Sequence, residues 1–188
     1  MTRLEDSKII DLFLERSEQA IAELDRKHGA AVRKTAMNIL RNVQDTEECA
    51  NDTYLGVWNT VPPQHPNPLV SYVCRIARNL AIKKYHANKA FKRNGNYDLT
   101  LDELNECIPS SVNVEDAYTA KEISAAVSRF LDSLSYEDRF CFVRRYFFVD
   151  TVIDIAGMLH WKPHRVSVRL SRIREKLKHE LIEEGLIE

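Results

Sequence analysis

The chain has 188 residues, of which 44% are hydrophobic and 29% charged, and its formal net charge is −1. This composition is sufficient for globular cores and is typical of a soluble protein. Only 5 Gly and 6 Pro favour helices over a loop-rich β architecture. The sequence contains no run of 18 apolar residues. Its start has acids on both sides of a short apolar stretch, unlike the basic start and longer apolar core of a secretory signal, so we expect a cytoplasmic protein.

The residue types that carry catalysis or bind metals show no productive spacing. Four cysteines are far apart, without a Cys-x-x-Cys pair, and are expected to be reduced thiols packed as small hydrophobic side chains: Cys49, Cys74, Cys107 and Cys141. The six histidines are scattered, and there is no Gly-rich phosphate loop or nucleophile motif. We therefore expect no enzymatic activity, metal, cofactor or small-molecule substrate.

The small net charge conceals segregated blocks of charge. Residues 83–93 contain five basic residues and no acid, whereas residues 95–119 contain six acids and no Lys or Arg. Residues 161–179 contain seven basic residues and the single acid Glu175. Basic blocks of this kind indicate nucleic acid as a partner, even though the whole chain is nearly neutral.

Apolar residues at three-to-four spacing predict helices in the first half of the chain. One helical region covers residues 7–41, with breaks predicted near Ser17 and around His28 and Gly29. A second covers residues 45–59 and ends before a proline cluster, and a third covers residues 69–89.

The second half begins with a segment of different character. Residues 95–116 combine weak periodicity with one-sided acidic charge, which predicts a flexible acidic linker. Helices resume near Ala117 and continue to the C-terminus. The predicted fold class is therefore all-α, with helical domains over residues 1–94 and 117–188 joined by the linker.

Residues 152–166 are typical of a helix-turn-helix. The first helix is expected to turn Ile155, Ala156 and Leu159 inward, and a tight turn follows at residues 160–162. Pro163 then occupies the first turn of the second helix, where its missing N–H is tolerated.

The second helix carries two stripes of different chemistry. The apolar stripe is Val166, Leu170, Ile173 and Leu177, and the basic stripe, shifted by one residue, is Arg165, Arg169, Arg172 and Lys176. A helix packed on one side and cationic on another fits the major groove, so Arg165 and Arg169 are predicted to read bases. Lys162 and His164, at the start of the helix, join the predicted DNA-binding set. The alternative is an ordinary solvated helix face.

The helix over residues 45–59 also has two contrasting sides. The side predicted to face the core is Cys49, Ala50, Thr53 and Val57. The opposite side carries an acidic strip, defined here as Asp45, Glu48 and Asp52, with Leu55 exposed beside it. Such a strip can bind a basic partner helix, although an ordinary solvated face has the same composition.

Three segments, in order, resemble the sigma-70 family of bacterial transcription factors, in its compact extracytoplasmic-function form. Residues 45–58 resemble the polymerase-binding helix D-A-E-D-x-x-Q-[DE]-x-[FY]-x-x-x-W, through Asp45, Glu47, Glu48, Asp52, Tyr54 and Trp58. Residues 72–82 resemble W-L-x-x-I-A-R-N-x-x-[IL]. Residues 154–177 resemble the family's E-I-A…L-G…T-V-K-x-R-L-x-R…L signature, with His160 at the usual Gly and Ser167 at a frequent Lys.

The resemblance implies an alternative sigma factor that binds core RNA polymerase, recognises promoter DNA and enables initiation. It implies that the acidic strip and Leu55 bind the clamp helices of the largest polymerase subunit. It also implies that residues of the first domain open and hold the minus-ten element: Asn67, Arg75, Arg78, Lys83 and Lys84. Asn67 could instead be a simple turn residue. An anti-sigma factor, usually membrane-anchored, is an expected partner.

A competing hypothesis is a helix-turn-helix regulator that acts without sigma activity. It explains the C-terminal motif but gives no reason for the acidic strip or the acidic linker.

Overall fold

The computed structural model describes residues 4–88, 96–105, 107–108 and 117–187, and these contain nine α-helices and one π-helical turn but no strand. The chain divides into two compact units, Met1–Gly95 and Asn96–Glu188. The predicted all-α fold class is confirmed. Within the described residues, no helix is both long enough and apolar enough to cross a membrane.

The described residues of the first unit form four helices, α1 (Asp6–Leu14), α2 (Gln19–Leu40), α3 (Val43–Thr60) and α4 (Leu69–Asn88). Helices α2, α3 and α4 all pack on one another, and α1 packs on α2. Each helix turns its apolar stripe inward, which is how amphipathic helices of this length gain stability. The fully buried large side chains of this core include Ile9, Phe13, Leu24, Val32, Val57 and Leu69.

Helix α2 is continuous, so the predicted break at His28 and Gly29 is wrong, whereas the chain does leave the helical path between Leu14 and Gln19. Gly29 is buried, and a Cβ there would lie 2.2 Å from an Asp25 carboxylate oxygen and 2.6 Å from an Arg33 guanidinium nitrogen. The glycine therefore leaves space for an ion pair along the helix rather than ending it.

In the part of the second unit that the structure describes there are five α-helices: α5 (Asn96–Asn105), α6 (Ala117–Ser133), α7 (Tyr136–Phe142), α8 (Val152–Leu159) and α9 (Pro163–Glu183). The π-helical turn, Val143–Phe147, continues directly from α7. Helix α9 is the centre of this unit, because α6, α7 and α8 all pack against it. Its residues Val166, Leu170, Ile173 and Leu177 are buried, as the apolar stripe predicts.

Helix α5 lies inside the segment predicted to be a linker, so the structure differs from that prediction over Asn96–Asn105. Its physical basis is visible in the burial pattern, since Tyr97 and Thr100 are buried and Leu104 packs against the core of the second unit. Cys107, just beyond the helix, is buried in the same core. The remaining predicted linker residues, 95, 106 and 109–116, lie outside the described residues.

None of the four cysteines, all of which the structure describes, forms a disulfide, and all are buried, as predicted: Cys49 and Cys74 in the first unit, Cys107 and Cys141 in the second. Burial raises the pKa of Cys49 and of Cys141 to about 11. These thiols therefore remain protonated and unreactive near neutral pH.

Candidate nucleic-acid interface and docking surface

The turn between α8 and α9 is closed by hydrogen bonds of the backbone. His160 has a φ of 54°, in the left-handed region where helices commonly end, and the Trp161 N–H donates to the Ala156 carbonyl at 2.9 Å. At the other end of α8, the hydroxyl of Thr151 accepts from the Asp154 N–H, and the Asp154 carboxylate accepts from the Thr151 N–H. This capping box fixes where α8 begins.

Helix α9 begins with Pro163 in its first turn, as predicted. The predicted DNA-binding side chains at its start, Lys162, His164 and Arg165, are exposed. Arg172 and Lys176 are also exposed further along, whereas Arg169 is only partly so. Helix α9 thus has a buried apolar stripe on one side and, on another, its basic stripe, which is called the basic ridge below. A helix with these two sides can pack on its own domain and bind in the major groove.

Trp161, in the turn, holds two of the ridge arginines. The guanidinium carbon of Arg165 lies 3.8 Å from the centre of a Trp161 ring, and that of Arg169 lies 5.5 Å from it. Contacts of this kind are attractive because the ring face is electron-rich. This role of Trp161 was not predicted, although a Trp four residues before an Arg at the start of a helix is a visible signal in the sequence.

Asp138, from α7, pairs with the second of these arginines. The Arg169 guanidinium donates to the Asp138 carboxylate at 2.7 Å, and the two side chains are 35% and 18% exposed. The carboxylate raises the pKa of Arg169 above its ordinary value, chiefly by accepting this hydrogen bond. Arg169 therefore has its charge balanced within the unit, unlike a simple solvated cation.

A second arginine of α9, Arg174, is directed inward. It donates to the hydroxyl of Tyr146 at 2.9 Å and lies 3.6 Å from the Glu103 carboxylate. Its side chain is only 17% exposed. Arg174 therefore serves the packing of the unit, and not the basic ridge.

Glu103, on α5, is the acceptor at the centre of this buried polar cluster. Arg145 donates to its two carboxylate oxygens at 3.1 and 2.6 Å, and the Tyr146 hydroxyl donates at 3.0 Å. Burial alone would raise the pKa of Glu103, but the hydrogen bonds and positive charge of Arg145, with further contributions from Tyr146 and Arg174, lower it overall. One acid of the predicted linker is thus part of the second unit's interior.

In the first unit, α3 separates its two sides as predicted. Cys49, Ala50, Thr53 and Val57 are buried, whereas Glu48 and Asp52 are exposed and Asp45 is partly exposed. Leu55 is 56% exposed. The acidic strip and its apolar neighbour therefore share a solvent-facing surface.

Lys84, predicted to hold DNA, lies against this strip. Its ammonium group is 2.5 Å from a Glu48 carboxylate oxygen and 3.2 Å from an Asp45 carboxylate oxygen. The pKa of Lys84 is raised, chiefly by the hydrogen bond to Glu48. The amide of Asn88 also donates to Asp45 at 3.2 Å. Asp52, the third acid of the strip, is exposed, and within the described residues it makes no such contact with α4.

A groove of about 640 Å³ adjoins the strip between α2 and α3. Leu55, Tyr54 and Trp58 supply its apolar lining, and Asp25 and Glu18 supply acidic groups. Leu55 thus links the acidic strip to a concave apolar surface.

The other predicted DNA-binding residues of the first unit lie on α4 and the loop before it. Asn67 is exposed in that loop, and Arg75 and Lys83 are exposed on α4. The Arg75 guanidinium lies 5.2 Å from the Tyr72 ring centre. Arg78 is partly exposed and has partners of its own. Lys84 contacts the acidic strip, whereas Lys83, its neighbour in sequence, is exposed.

A polar cluster that was not predicted from the sequence joins α2 to α3. The Tyr54 hydroxyl donates to Asp25 at 2.5 Å, and Arg33 donates to Asp25 at 2.5 Å and to Glu47 at 3.0 Å. Burial, reinforced by the contact with Asp25, raises the pKa of Tyr54. The cluster fixes the rotation of α3, and thereby the direction in which its acidic strip faces.

In the second unit, α8, the tight turn and α9 have the arrangement of a helix-turn-helix, a motif whose second helix enters the major groove in many DNA-binding proteins. For the first unit, residues 24–91 match the family model described as Sigma-70 region 2, which covers most of α2 and all of α3 and α4. The first unit therefore contains a sigma-70 region 2 domain.

One solved structure similar to this chain is titled "Structure of CnrH in complex with the cytosolic domain of CnrY". The match covers 95% of this chain and 97% of that chain, at 20% sequence identity and a TM-score of 0.44. No curated protein matches the sequence. The similarity to sigma factors therefore rests on the region 2 match in the first unit.

Proposed function

We propose that this chain is an alternative sigma factor of the extracytoplasmic-function type, which directs core RNA polymerase to promoters through two domains. The observation that carries the proposal is the presence, in one chain, of a sigma-70 region 2 domain and a separate unit with a helix-turn-helix. In this proposal, the second unit corresponds to sigma region 4.

The second unit reads the upstream, minus-thirty-five promoter element. The exposed residues Arg165, Arg172 and Lys176 support this role, because they lie along one ridge of α9. Lys162 and His164 extend the ridge toward the start of the helix, where base edges are usually contacted. Arg165 and Arg169 are assigned to bases, and Arg172 and Lys176 to phosphates.

The first unit docks on polymerase through the acidic strip and Leu55. An exposed apolar side chain beside carboxylates fits a partner helix that carries basic residues, and the clamp helices of the largest subunit are the proposed partner. Asp52 is assigned the main electrostatic contact. Lys84 supports the strip by holding Asp45 and Glu48, so we assign it to docking instead of DNA.

The same unit engages the minus-ten element through the loop before α4 and the exposed side of α4. Asn67 is exposed there, at a position that can contact an unstacked base. Arg75, Arg78 and Lys83 are assigned to the backbone of the opened strand, where cations and stacking side chains hold single-stranded DNA.

The proposal extends to location and regulation. The protein works in the cytoplasm, where its polymerase and promoter partners are, and an anti-sigma factor anchored in the membrane restrains it. It has no catalytic step of its own, because nucleotide addition belongs to the polymerase. No cofactor, metal or small-molecule substrate is required.

In vitro transcription with core polymerase over genomic fragments tests this proposal. Asp52→Lys should weaken core binding about 10-fold or more, because it reverses the charge of the main electrostatic contact. A 10-fold change corresponds to about 1.4 kcal/mol of binding free energy. Arg165→Ala should leave core binding intact and reduce promoter-specific initiation, by about 1–3 kcal/mol if it reads a base.

Matched substitutions of exposed residues away from both surfaces provide the controls. Asp11→Lys on α1 repeats the charge change of Asp52→Lys, and Lys121→Ala on α6 repeats the charge loss of Arg165→Ala. Both controls should initiate like the original chain. Binding to promoter DNA without any binding to core polymerase would instead favour a regulator that acts without sigma activity.

A further inference from the structure

The contacts of Arg169 distinguish it from the other cations on the basic ridge of α9. It donates to Asp138 at 2.7 Å, whereas Arg172 and Lys176 are exposed. These residues and Ile173 line a depression of about 280 Å³ between α7 and α9, in which Asp138 is the acidic member. A negative group beside a DNA-facing ridge weakens the attraction of that ridge to phosphate, so phosphate binding does not explain the pairing of Asp138 with Arg169.

The pairing instead restricts the geometry of the Arg169 side chain. A guanidinium has five N–H donors, so donation to Asp138 leaves capacity for a bidentate contact with a guanine edge. Trp161 lies 5.5 Å away on a second side, so two contacts from different elements restrict the arginine. An arginine restricted before binding loses less conformational freedom when it meets a base.

Charge balance acts in the same direction. Phosphate attraction is electrostatic and independent of sequence, and it increases with each unpaired cation that contacts the backbone. Because Asp138 balances Arg169, this arginine contributes little to that attraction. Its remaining hydrogen-bond donors, by contrast, still distinguish one base edge from another.

We propose that Asp138 is a specificity-determining residue of the DNA site, which positions Arg169 for a guanine in the upstream promoter element. The inference rests on the proposed function, because it requires α9 to read that element. Asp138 itself contacts no DNA and acts through Arg169.

The test is template selection by the full chain bound to core polymerase. A genomic fragment that initiates with the original chain is rebuilt with its upstream element randomised, and the templates that yield transcript are sequenced. Arg169→Ala identifies the position that Arg169 reads. Asp138→Asn should reduce the preference for G at that same position at least fivefold and leave the preferences at other positions within twofold.

The matched control is Asp132→Asn, which removes the same charge from the same unit at a side chain that is 79% exposed. It should leave every base preference unchanged. The Asp138 substitution keeps the start of α7, because Ser135 accepts from the backbone N–H of residue 138 and not from its side chain. Thermal unfolding of the variant then shows whether the fold is intact.

The outcomes separate the two proposals. Undiminished preference for G with Asp138→Asn, or an equal loss with Asp132→Asn, would overturn the positioning role while leaving the sigma factor assignment standing. Selection by the original chain with no base preference anywhere in the upstream element would overturn both.

Discussion

Replacing Glu103 by glutamine perturbs a carboxylate that joins α5 to Arg145 and Tyr146 in the second unit. The change keeps the size of the side chain and one acceptor oxygen, but it removes the negative charge opposite Arg145. The Arg145 side chain is 5% exposed and Glu103 is 28% exposed, so the arginine has little access to water as a substitute partner.

The expected cost lies between that of a surface pair and that of a fully buried one. Exposed pairs contribute about 1 kcal/mol or less, whereas removing one partner of a fully buried pair costs about 3–5 kcal/mol. With one partner buried and the other partly exposed, we expect Glu103→Gln to lower the free energy of unfolding of the second unit by about 2 kcal/mol. For a domain of this size, that corresponds to a fall in Tm of about 10 °C.

The same pair makes stability depend on pH. The pKa of Glu103 is lower in the folded unit than the ordinary value of 4.5, so folding favours its ionised form. The stabilisation is therefore complete above the ordinary pKa and is lost as the pH falls through the lower, folded value. Glu103→Gln should remove this contribution. As the pH is lowered below about 5, the free energy of unfolding of the variant should therefore fall less than that of the original chain.

Hydrogen exchange of the full chain, read by peptides that cover α5, measures the effect directly. If α5 detaches locally, a loss of about 2 kcal/mol raises its opening equilibrium about 30-fold. Asp102→Asn, on an exposed neighbour in the same helix, is the control and should leave exchange unchanged. Unaltered exchange with Glu103→Gln, or equal acceleration with the control, would refute the role of this ion pair.

Two further predictions concern the helix-turn-helix, and both can be measured by urea denaturation. His160→Gly should raise the free energy of unfolding by about 0.5–1 kcal/mol, because φ is 54° there and glycine adopts this conformation without strain; His160→Ala should give no gain. Thr151→Ala should lower it by about 1 kcal/mol, because the hydroxyl that accepts from the Asp154 N–H at 3.1 Å is lost. A neutral result for Thr151→Ala would mean that Asp154 alone suffices to start α8.

Features set by local periodicity were predicted correctly from the sequence. The buried side of α3 and the apolar stripe of α9 follow directly from 3.6 residues per turn, because one face of each helix must leave water. Pro163 and the turn before it were also predictable, since proline restricts the backbone where a helix starts. The all-α fold follows from such segments.

Features that depend on distant partners were not predicted. No pattern in the sequence near Glu103 indicates its pairing with Arg145, which lies 42 residues later. An acid of the interior was therefore interpreted as part of a charged linker. The helix of α5 itself left a signal in the spacing of Tyr97, Thr100 and Leu104, which the acidic composition obscured. Gly29 was misread for the same reason, because its role depends on the pairing of Asp25 and Arg33 across it.

Pairings of the site residues are likewise invisible to periodicity. Arg169 and Lys84 both have the sequence context of solvated cations, yet one contacts Asp138 and the other contacts Glu48. Whether a lysine or arginine is available to a partner depends on the neighbouring helix, which a pattern along one helix does not contain.

The placement of the buried cysteines equips each unit with its own chemical reporter. Cys49 and Cys74 are enclosed in the first unit and Cys107 and Cys141 in the second. Because an enclosed thiol reacts only after the surrounding structure opens, the rate of alkylation at each cysteine measures how often its unit opens. Mass spectrometry of alkylated peptides could thus follow both units at once through the native cysteines, with no substitution in the chain.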